Sequence, residues 1–570
     1  MKKILAIALC CVMCLGMIPM ASAAGNSWDS MDWDSLIDFS TWATAKDNGI
    51  ELPELNGPLK ITANIADFNL TSEGTMVQYL WEKAMEHYLG CDIELTINRT
   101  PWADFRTKEL VLLGADDVAD INSYSQGDAI LQYGEDGVVL NIADYADCIK
   151  YYWDYVDGHP NGRKVAINAD GSMYRFIDGT NNSEDIMGAQ SFTAFAYRFD
   201  VLKKLGLQPA TTIDEFTALC AALQEKINAG ELDAKYVIMN NTKDYAFYRG
   251  FVGIWHTWDT LYWNGSEWSF GPIENNFREM LKYLRELYVA GYIDPEFATS
   301  DFNQSTEKAS TGYALVCPTL WAGSVASWNS SLPADSTIEW GLAYLPTGDY
   351  GTAWKWGSKL DGKSLNTIYG IYFDADVEHP EHLVAMIDYQ YSDEMNDLIN
   401  WGVKGVTYTV DENGNKAFSD EIMSDSSPAT KSSEAGAAAS CVCRTGIPFV
   451  AQNFYALIQV ASNPEPWWNP EDGYYTGKYW LESNRLGGVE SVSPYDRPAV
   501  LTLNSDEATA KSQLQTACET YAKEESLKFI TGEYDINSDA AWAAYVNGVK
   551  SQSDEDFDAT IAMLNANSNK

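Results

Sequence analysis

Histidine and basic residues are scarce in this chain. It has five His, and its 38 Lys and Arg stand against 81 Asp and Glu, which gives a net charge of −43 over 570 residues. A surface this acidic repels nucleic acids and anionic membranes, and it disfavours a polyanionic ligand. Five His also leave little material for a zinc centre. We therefore expect no nucleic-acid partner, no metal and no cofactor.

Cysteine is sparse and irregularly spaced. Of ten Cys, three precede Ala23, which leaves seven in the rest of the chain. An odd number spread this widely is not a disulfide framework. Cys220 and Cys317 lie in apolar runs, as small core residues do. Cys441 and Cys443 have no second pair nearby that would complete a metal site.

Long apolar runs are missing after Ala23, where nothing approaches the ~18 to 20 residues of a membrane span. Lys2 and Lys3 precede an apolar run at 4–15, and a small-residue motif follows at 21–23. This order predicts a signal peptide cleaved after Ala23, with an uncleaved anchor as the alternative. None of the three leader Cys follows the small residue that a lipid-acceptor Cys requires. We expect an exported protein, extracellular or associated with the cell surface.

Three motif matches suggest chemistry but lack its context. Residues 357–364 fit the phosphate-loop pattern, but a strand-like stretch follows where a helix is needed, so we interpret them as a turn between two strands. Asp411 begins a calcium-like loop whose sixth position is Lys416 instead of Gly. His379 and His382 have no third ligand nearby and fit a helix start. No G-x-S-x-G elbow occurs, and we predict no enzymatic activity.

Trp and Tyr are abundant, at 20 and 33 residues against 20 Phe. Both rings join an apolar face to a hydrogen-bonding tip, which suits half-wet surfaces. Such rings stack on sugar faces or on extended peptides. For any single ring, packing in a core or at a rim is the alternative interpretation.

Hydrophobic periodicity predicts an α/β fold. Alternation from Leu59 indicates a strand, and apolar residues at helical spacing over 76–89, closed by Gly90, indicate a helix. A strand at 92–98, a helix at 101–113 and a short strand at 119–122 follow, which predicts a parallel sheet with right-handed crossovers. Further predictions are a strand at 194–199, helices at 213–229 and 274–290, a small polar surface insertion at 423–440, and a helical C-terminal region.

Five segments in a fixed order resemble the extracellular solute-binding proteins of ABC importers, specifically the large carbohydrate-type group similar to alginate-oligosaccharide and maltose receptors. They are residues 198–216, 312–321 with its Pro-x-x-Trp element, 340–346, 400–414 and 529–533. The order of the segments is more specific than any one of them.

This resemblance implies a two-lobed periplasmic-binding-protein-like fold with a hinge. The expected divisions are a signal peptide at 1–23, an extended N-terminal arm at 24–56, lobe one at 57–195 plus 367–410, and lobe two at 196–366 plus 411–570. The implied function is capture of a neutral oligosaccharide in an aromatic interlobe cleft and delivery to membrane permease subunits, by a monomer. The alternatives are a peptide-type receptor of the same fold or a secreted carbohydrate-active enzyme.

The resemblance also implies ligand-binding residues. Trp321 matches a sugar-stacking ring of the Pro-x-x-Trp element. The other candidates are Tyr124, Gln126, Asp128, Trp401, Trp255, Trp258, Trp467 and Trp468. Three departures from the group are visible: the leader lacks a lipid-acceptor Cys, residues 221–235 lack the calcium loop of alginate-type members, and Lys404 stands where many relatives have Glu.

Overall fold

A computed structural model describes most of the chain. The described residues are 26–67, 73–124, 127–159, 162–168, 170–177, 180–181, 194–243, 247–319, 325, 328–329, 332–333, 335–343, 345–354, 370–425, 428–437, 452–453, 468–469, 474–476, 503–553 and 556–568. The predicted signal peptide, the phosphate-loop match and the pair Cys441 and Cys443 lie outside them.

The described residues contain these strands: β1 Leu59–Asp67, β2 Ile93–Pro101, β3 Ile121–Tyr124, β4 Phe176–Ile177, β5 Thr180–Asn181, β6 Ala194–Arg198, β7 Tyr236–Ile238, β8 Leu261–Trp263, β9 Trp268–Phe270, β10 Ala314–Thr319, β11 Trp340–Ala343, β12 Gly370–Phe373, β13 Tyr408–Val410, β14 Lys416–Phe418, β15 Gln452–Asn453, β16 Trp468–Asn469 and β17 Tyr474–Thr476. The α-helices are α1 Met76–Leu89, α2 Trp102–Ala115, α3 Gly127–Glu135, α4 Tyr151–Asp157, α5 Gly162–Ala166, α6 Phe199–Leu205, α7 Ile213–Asn228, α8 Asn275–Val289, α9 Phe302–Ser310, α10 Pro380–Tyr389, α11 Asp393–Trp401, α12 Asp420–Met423, α13 Pro428–Ala435, α14 Ser505–Gln513, α15 Glu519–Thr531, α16 Asp539–Lys550 and α17 Phe557–Asn567.

The first sheet has the order β2-β1-β3-β12-β4. β1, β2 and β3 are parallel, as predicted, and β12 runs antiparallel between β3 and β4. In β1 the apolar side chains Leu59, Ile61 and Ala63 are buried, while Lys60 and Thr62 are exposed. The period-2 pattern therefore turns one face of the sheet toward helix α1 and the core.

The hydrophobic core of the first lobe also includes residues from segments that contribute no strand to its sheet. Trp28, in the arm that we expected to be extended, is fully buried there, and short 3₁₀ turns shape the arm around it. Phe418, Ile422 and Ala435 also belong to this core, although the expected boundary placed them in lobe two. Packing therefore attaches the arm and the described residues 411–425 and 428–437 to the first lobe.

The predicted surface insertion at 423–440 is wrong for its described part. Residues 428–437 form helix α13 and its C-terminal turn, with Ser432 and Ala437 buried. Gly436 has φ 88°, and a Cβ there would lie 2.2 Å from Thr75 Oγ1. Small residues are needed because this segment approaches the N-terminus of α1 closely.

The second sheet has the order β16-β17-β11-β6-β10-β7. β6 runs antiparallel to both β10 and β11, and β7 is parallel to β10. A second core lies against this sheet and includes Phe195, Phe216 and Leu281. The two sheets with their covering helices form an α/β fold of two lobes.

A helical run from Ser505 to Thr531 links the C-terminal region to both lobes. Its first part, α14, lies beside α3 of the first lobe, and its last part, α15, lies beside α8 of the second. A π-helical turn, Leu514–Cys518, separates the two parts. Such turns interrupt the regular α-helical ladder. No helix among the described residues has the length and apolar character of a membrane span.

Candidate functional site

The carboxyl edge of the first sheet collects the ends of several strands. β3 ends at Tyr124, and Gly370, the first residue of β12, lies opposite it. Gly370 also pairs with Ile177, the last residue of β4. Open α/β sheets bind ligands at the carboxyl ends of their strands, at points where the strand order reverses. This edge is therefore the first half of a candidate site.

The corresponding edge of the second sheet supplies the other half. Thr319, the last residue of β10, lies opposite Ala194, the first residue of β6. Ala343 ends β11 at the same edge and pairs with Phe195. The chain passes between the lobes from β5 to β6 and again between Trp354 and Gly370. Because these crossings start or end at the two edges, both edges lie at the junction of the lobes.

Three asparagines, of which Asn122 is buried, hold the strand that ends at Tyr124. Asn122 Nδ2 donates to the carbonyl of Ala119 at 2.6 Å. Asn64 Nδ2 donates to Asn122 Oδ1 at 3.1 Å, and Asn98 Nδ2 donates to Asn64 Oδ1 at 3.2 Å. This ladder crosses β2, β1 and β3 from the exposed Asn98 to the buried Asn122, and at its buried end the satisfied amide fixes the start of β3. The sequence analysis did not predict it, and the only signal in the sequence was an Asn in each of three neighbouring strands.

A similar device fixes the loop after β7 in the second lobe. Asn240 Nδ2 donates to the carbonyls of Thr242 at 2.9 Å and Phe297 at 2.8 Å. Ser305 Oγ donates to the carbonyl of Asn240 at 2.9 Å. Asn240 is 7% exposed, so these bonds are largely sheltered from water. The second edge is thus built on a fixed loop.

Some of the candidate ligand residues lie at the two sheet edges, and others lie outside the described residues. Tyr124 ends β3 and Asp128 lies in the first turn of α3, both at the first edge. Trp321 follows β10 by two residues but lies outside the described residues, as do Gln126 and Trp467. Trp468 begins β16, whose partner β17 pairs with β11 of the second sheet.

Three other candidate rings lie within the lobes. Trp401 is 1% exposed and packs against Phe418, with ring centroids 4.9 Å apart. Trp258 is 4% exposed within the second core. Trp255 is half-buried, 5.1 Å from the ring of Tyr283. Core packing accounts for Trp401 and Trp258 here, since neither leaves a ring face open to a ligand.

Charged groups behind the second edge are paired or buried. Arg249 Nε donates to Asp259 Oδ2 at 2.5 Å. Burial raises the pKa of Glu519 to about 8, although its carboxylate accepts the backbone N–H of Leu261 at 3.0 Å. No cluster of three or more His, Cys, Asp or Glu that could hold a metal occurs in the described part of the chain.

Comparison with known proteins identifies the fold. No family model matches the sequence. A fructooligosaccharide ABC transporter substrate-binding protein, FusA of Streptococcus pneumoniae, is 25% identical over 235 residues, which is 39% of this chain. The match spans 43% of that relative, so the chain aligns with less than half of its length.

Solved structures extend the similarity to nearly the whole chain. The alginate-binding protein AlgQ2, solved without calcium ion, has a TM-score of 0.67 at 18% identity and covers 90% of this chain and 99% of its own. FusA in complex with kestose has a TM-score of 0.66 at 16% identity, with the same coverage. The fold is that of the two-lobed solute-binding proteins. At these identities the similarity establishes the architecture of the chain and does not extend to its ligand.

Proposed function

We propose that this chain is the extracellular solute-binding component of an ABC importer. It captures a neutral oligosaccharide in an aromatic cleft between its lobes and delivers it to membrane permease subunits. The observation that carries the proposal is the junction of two carboxyl sheet edges in a chain whose fold matches AlgQ2 at a TM-score of 0.67. The protein acts as an exported monomer after cleavage following Ala23, and it binds its ligand without turnover.

The cleft draws on both lobes. Tyr124, Gln126 and Asp128 come from the segment at and directly after the end of β3 in lobe one, and Trp321 follows the end of β10 in lobe two. Trp255, Trp467 and Trp468 contribute at the rim. A ligand touching both edges favours the closed state, because contacts to the second lobe exist only when the hinge has closed.

Charge supports a neutral ligand. The net charge of −43 repels polyanions over distances shorter than the screening length of the salt. A neutral glycan pays no such penalty, and its hydroxyl groups match amide and carboxylate acceptors while its C–H faces match aromatic rings.

A thermal-shift screen tests the proposal. The mature chain is melted alone and with each member of a panel of neutral oligosaccharides, uronic-acid oligosaccharides and peptides. A ligand at 100 times its Kd stabilises a two-state protein by about 2.7 kcal/mol, which is readily seen as a rise in Tm. We expect neutral glycans to raise Tm and to be recovered intact by chromatography.

A matched pair of variants localises the binding. Trp321→Ala should abolish most of the ligand-induced shift, whereas Trp263→Ala, in the β8–β9 hairpin, should preserve it. A shift caused by peptides alone would establish the peptide-receptor alternative, and hydrolysis of the glycan would establish the enzyme alternative.

A further inference from the structure

Three aromatic rings stack against one another in lobe two, and the last of them directly precedes the segment in which the chain crosses to lobe one. The imidazole of His256 lies parallel to the ring of Trp354, with centroids 4.4 Å apart and an interplanar angle of 11°. The ring of Tyr350 lies 5.8 Å from His256. His256 and Trp354 are half-buried, and Tyr350 is 40% exposed. We call these three residues the crossing stack.

The backbone at His256 is unusual. Its φ of 48° and ψ of 46° place a non-glycine residue in the left-handed region. An L-residue there costs roughly 1–2 kcal/mol, and such outliers persist only where the surroundings enforce them, often at ligand sites. His256 Nε2 lies 2.9 Å from the carbonyl of Thr352, so it must donate. In the neutral ring, Nδ1 is then a hydrogen-bond acceptor.

Two glycines tie the crossing stack to the second sheet edge. A Cβ on Gly253 would lie 1.8 Å from Trp354 O, and Trp354 N donates to Gly253 O at 2.8 Å. A Cβ on Gly250 would lie 2.5 Å from Pro318 O, one residue before the end of β10. Gly250 ends one 3₁₀ turn and Gly253 lies in the next, and three residues span at most about 11 Å even when fully extended. The stack therefore adjoins the strand end that leads to Trp321.

Tyr350 is held in place without being covered. Its phenol donates to Asn276 Oδ1 at 3.2 Å, which fixes the ring at its polar tip. The turn at 348–351 is anchored below it, because a Cβ on Gly348 would lie 2.9 Å from Ile254 Cγ2. A fixed and exposed ring loses little conformational entropy when a ligand stacks on it.

We propose that the crossing stack is a second sugar-binding subsite, which takes an outer unit of a longer neutral oligosaccharide whose inner unit lies at Trp321. The inference rests on the proposed function and adds to it the residues that select chain length. Tyr350 supplies the stacking face, and His256 Nδ1 accepts from a sugar hydroxyl. Trp354 supports the imidazole from behind.

A chain-length series tests the subsite. The mature protein and its variants are titrated calorimetrically with malto- and inulin-type oligosaccharides, from disaccharide to hexasaccharide. Tyr350→Ala should weaken binding of the longer members about five- to tenfold, in line with the worth of one aromatic contact, and leave the shortest binding member within about twofold. Tyr350→Phe should keep most of the affinity. His256→Gly should relieve the backbone strain, hold or raise Tm, and still weaken binding of the longer members.

Tyr236→Ala is the matched control, because Tyr236 begins β7 at the opposite end from the carboxyl edge. It should not change the length dependence. If the wild type binds glycans and Tyr350→Ala and His256→Gly bind every length as the wild type does, the subsite is refuted while the proposed function stands. An equal loss at every length together with a lower Tm would assign the stack a structural role and also refute it. If the wild type binds no glycan, the proposed function fails first.

Discussion

Asp388 gives the clearest link between this structure and a measurement. Its side chain is fully buried, and its carboxylate caps helix α4 by accepting the backbone N–H of Tyr152 at 2.8 Å and of Tyr151 at 3.2 Å. Burial raises the pKa of Asp388 from 3.8 to about 6, against the opposing effect of the N–H groups. A pKa raised by about two units means that the folded protein is about 3 kcal/mol less stable with the carboxylate ionised than with it protonated.

The sign follows from proton linkage. At pH values between 3.8 and about 6, Asp388 is protonated in the folded state but ionised in the unfolded state. Lowering the pH through about 6 therefore stabilises the folded protein. Asp388→Asn removes this titration. The free energy of unfolding of the wild type minus that of the variant should therefore rise by about 2 kcal/mol as the pH falls from about 7.5 to about 4.5.

Urea unfolding across that pH range measures the difference. Glu394→Gln, an exposed acid on α11, is the control, and its difference should stay within about 0.5 kcal/mol. A flat difference for Asp388→Asn, or one that falls toward low pH, would refute the effect that we assign to burial.

Two further predictions test packing. Trp28→Ala should destabilise the protein by about 3–5 kcal/mol in urea unfolding, because Trp28 is fully buried. Met31→Ala, at a side chain of the same arm that is 38% exposed, should cost under about 1 kcal/mol. Equal effects of the two substitutions would mean that the arm is not part of the core. Gly402→Ala should lower Tm more than Gly414→Ala, since both have φ above 80° but only at Gly402 would a Cβ lie 2.4 Å from Thr407 Oγ1; equal losses would contradict this close approach.

Local patterns predicted the local elements well. The helix at 76–89 has its expected bounds and ends at Gly90, which has φ 71°. The helix predicted at 213–229 is α7, and a capping box of Thr212 and Glu215 begins it. His379 precedes a helix start, as interpreted, and the calcium-like sequence at Asp411 forms the turn between β13 and β14. Each of these features depends on residues a few positions apart, which the sequence displays directly.

Long-range packing was not visible in the same way. A tryptophan at a helix end has the same sequence context whether it faces a cleft or a core, and Trp401 proves to lie in the core. The small residues at 428–437 suggested a loose insertion, whereas the close approach of Gly436 to Thr75 requires them. Trp28 lies near the start of the chain, far in sequence from Glu421 and Lys431, which help to hold its segment.

The candidate site was predictable only where topology determines it. Tyr124 and Asp128 follow the third parallel strand, and the sequence indicated that strand. The crossing stack depends on a left-handed His256 and on close approaches at glycines, neither of which periodicity reveals. β12 pairs with β3 and β4, which are far from it in the sequence, and no local sequence pattern predicts this pairing.

The most direct test of a two-lobed receptor that closes on a neutral oligosaccharide is small-angle X-ray scattering of the mature chain with and without a saturating glycan chosen by thermal shift. We predict that the glycan lowers the radius of gyration, because ligand contacts to both lobes favour the closed state. An unchanged radius of gyration at proven saturation would contradict closure of the lobes on the ligand.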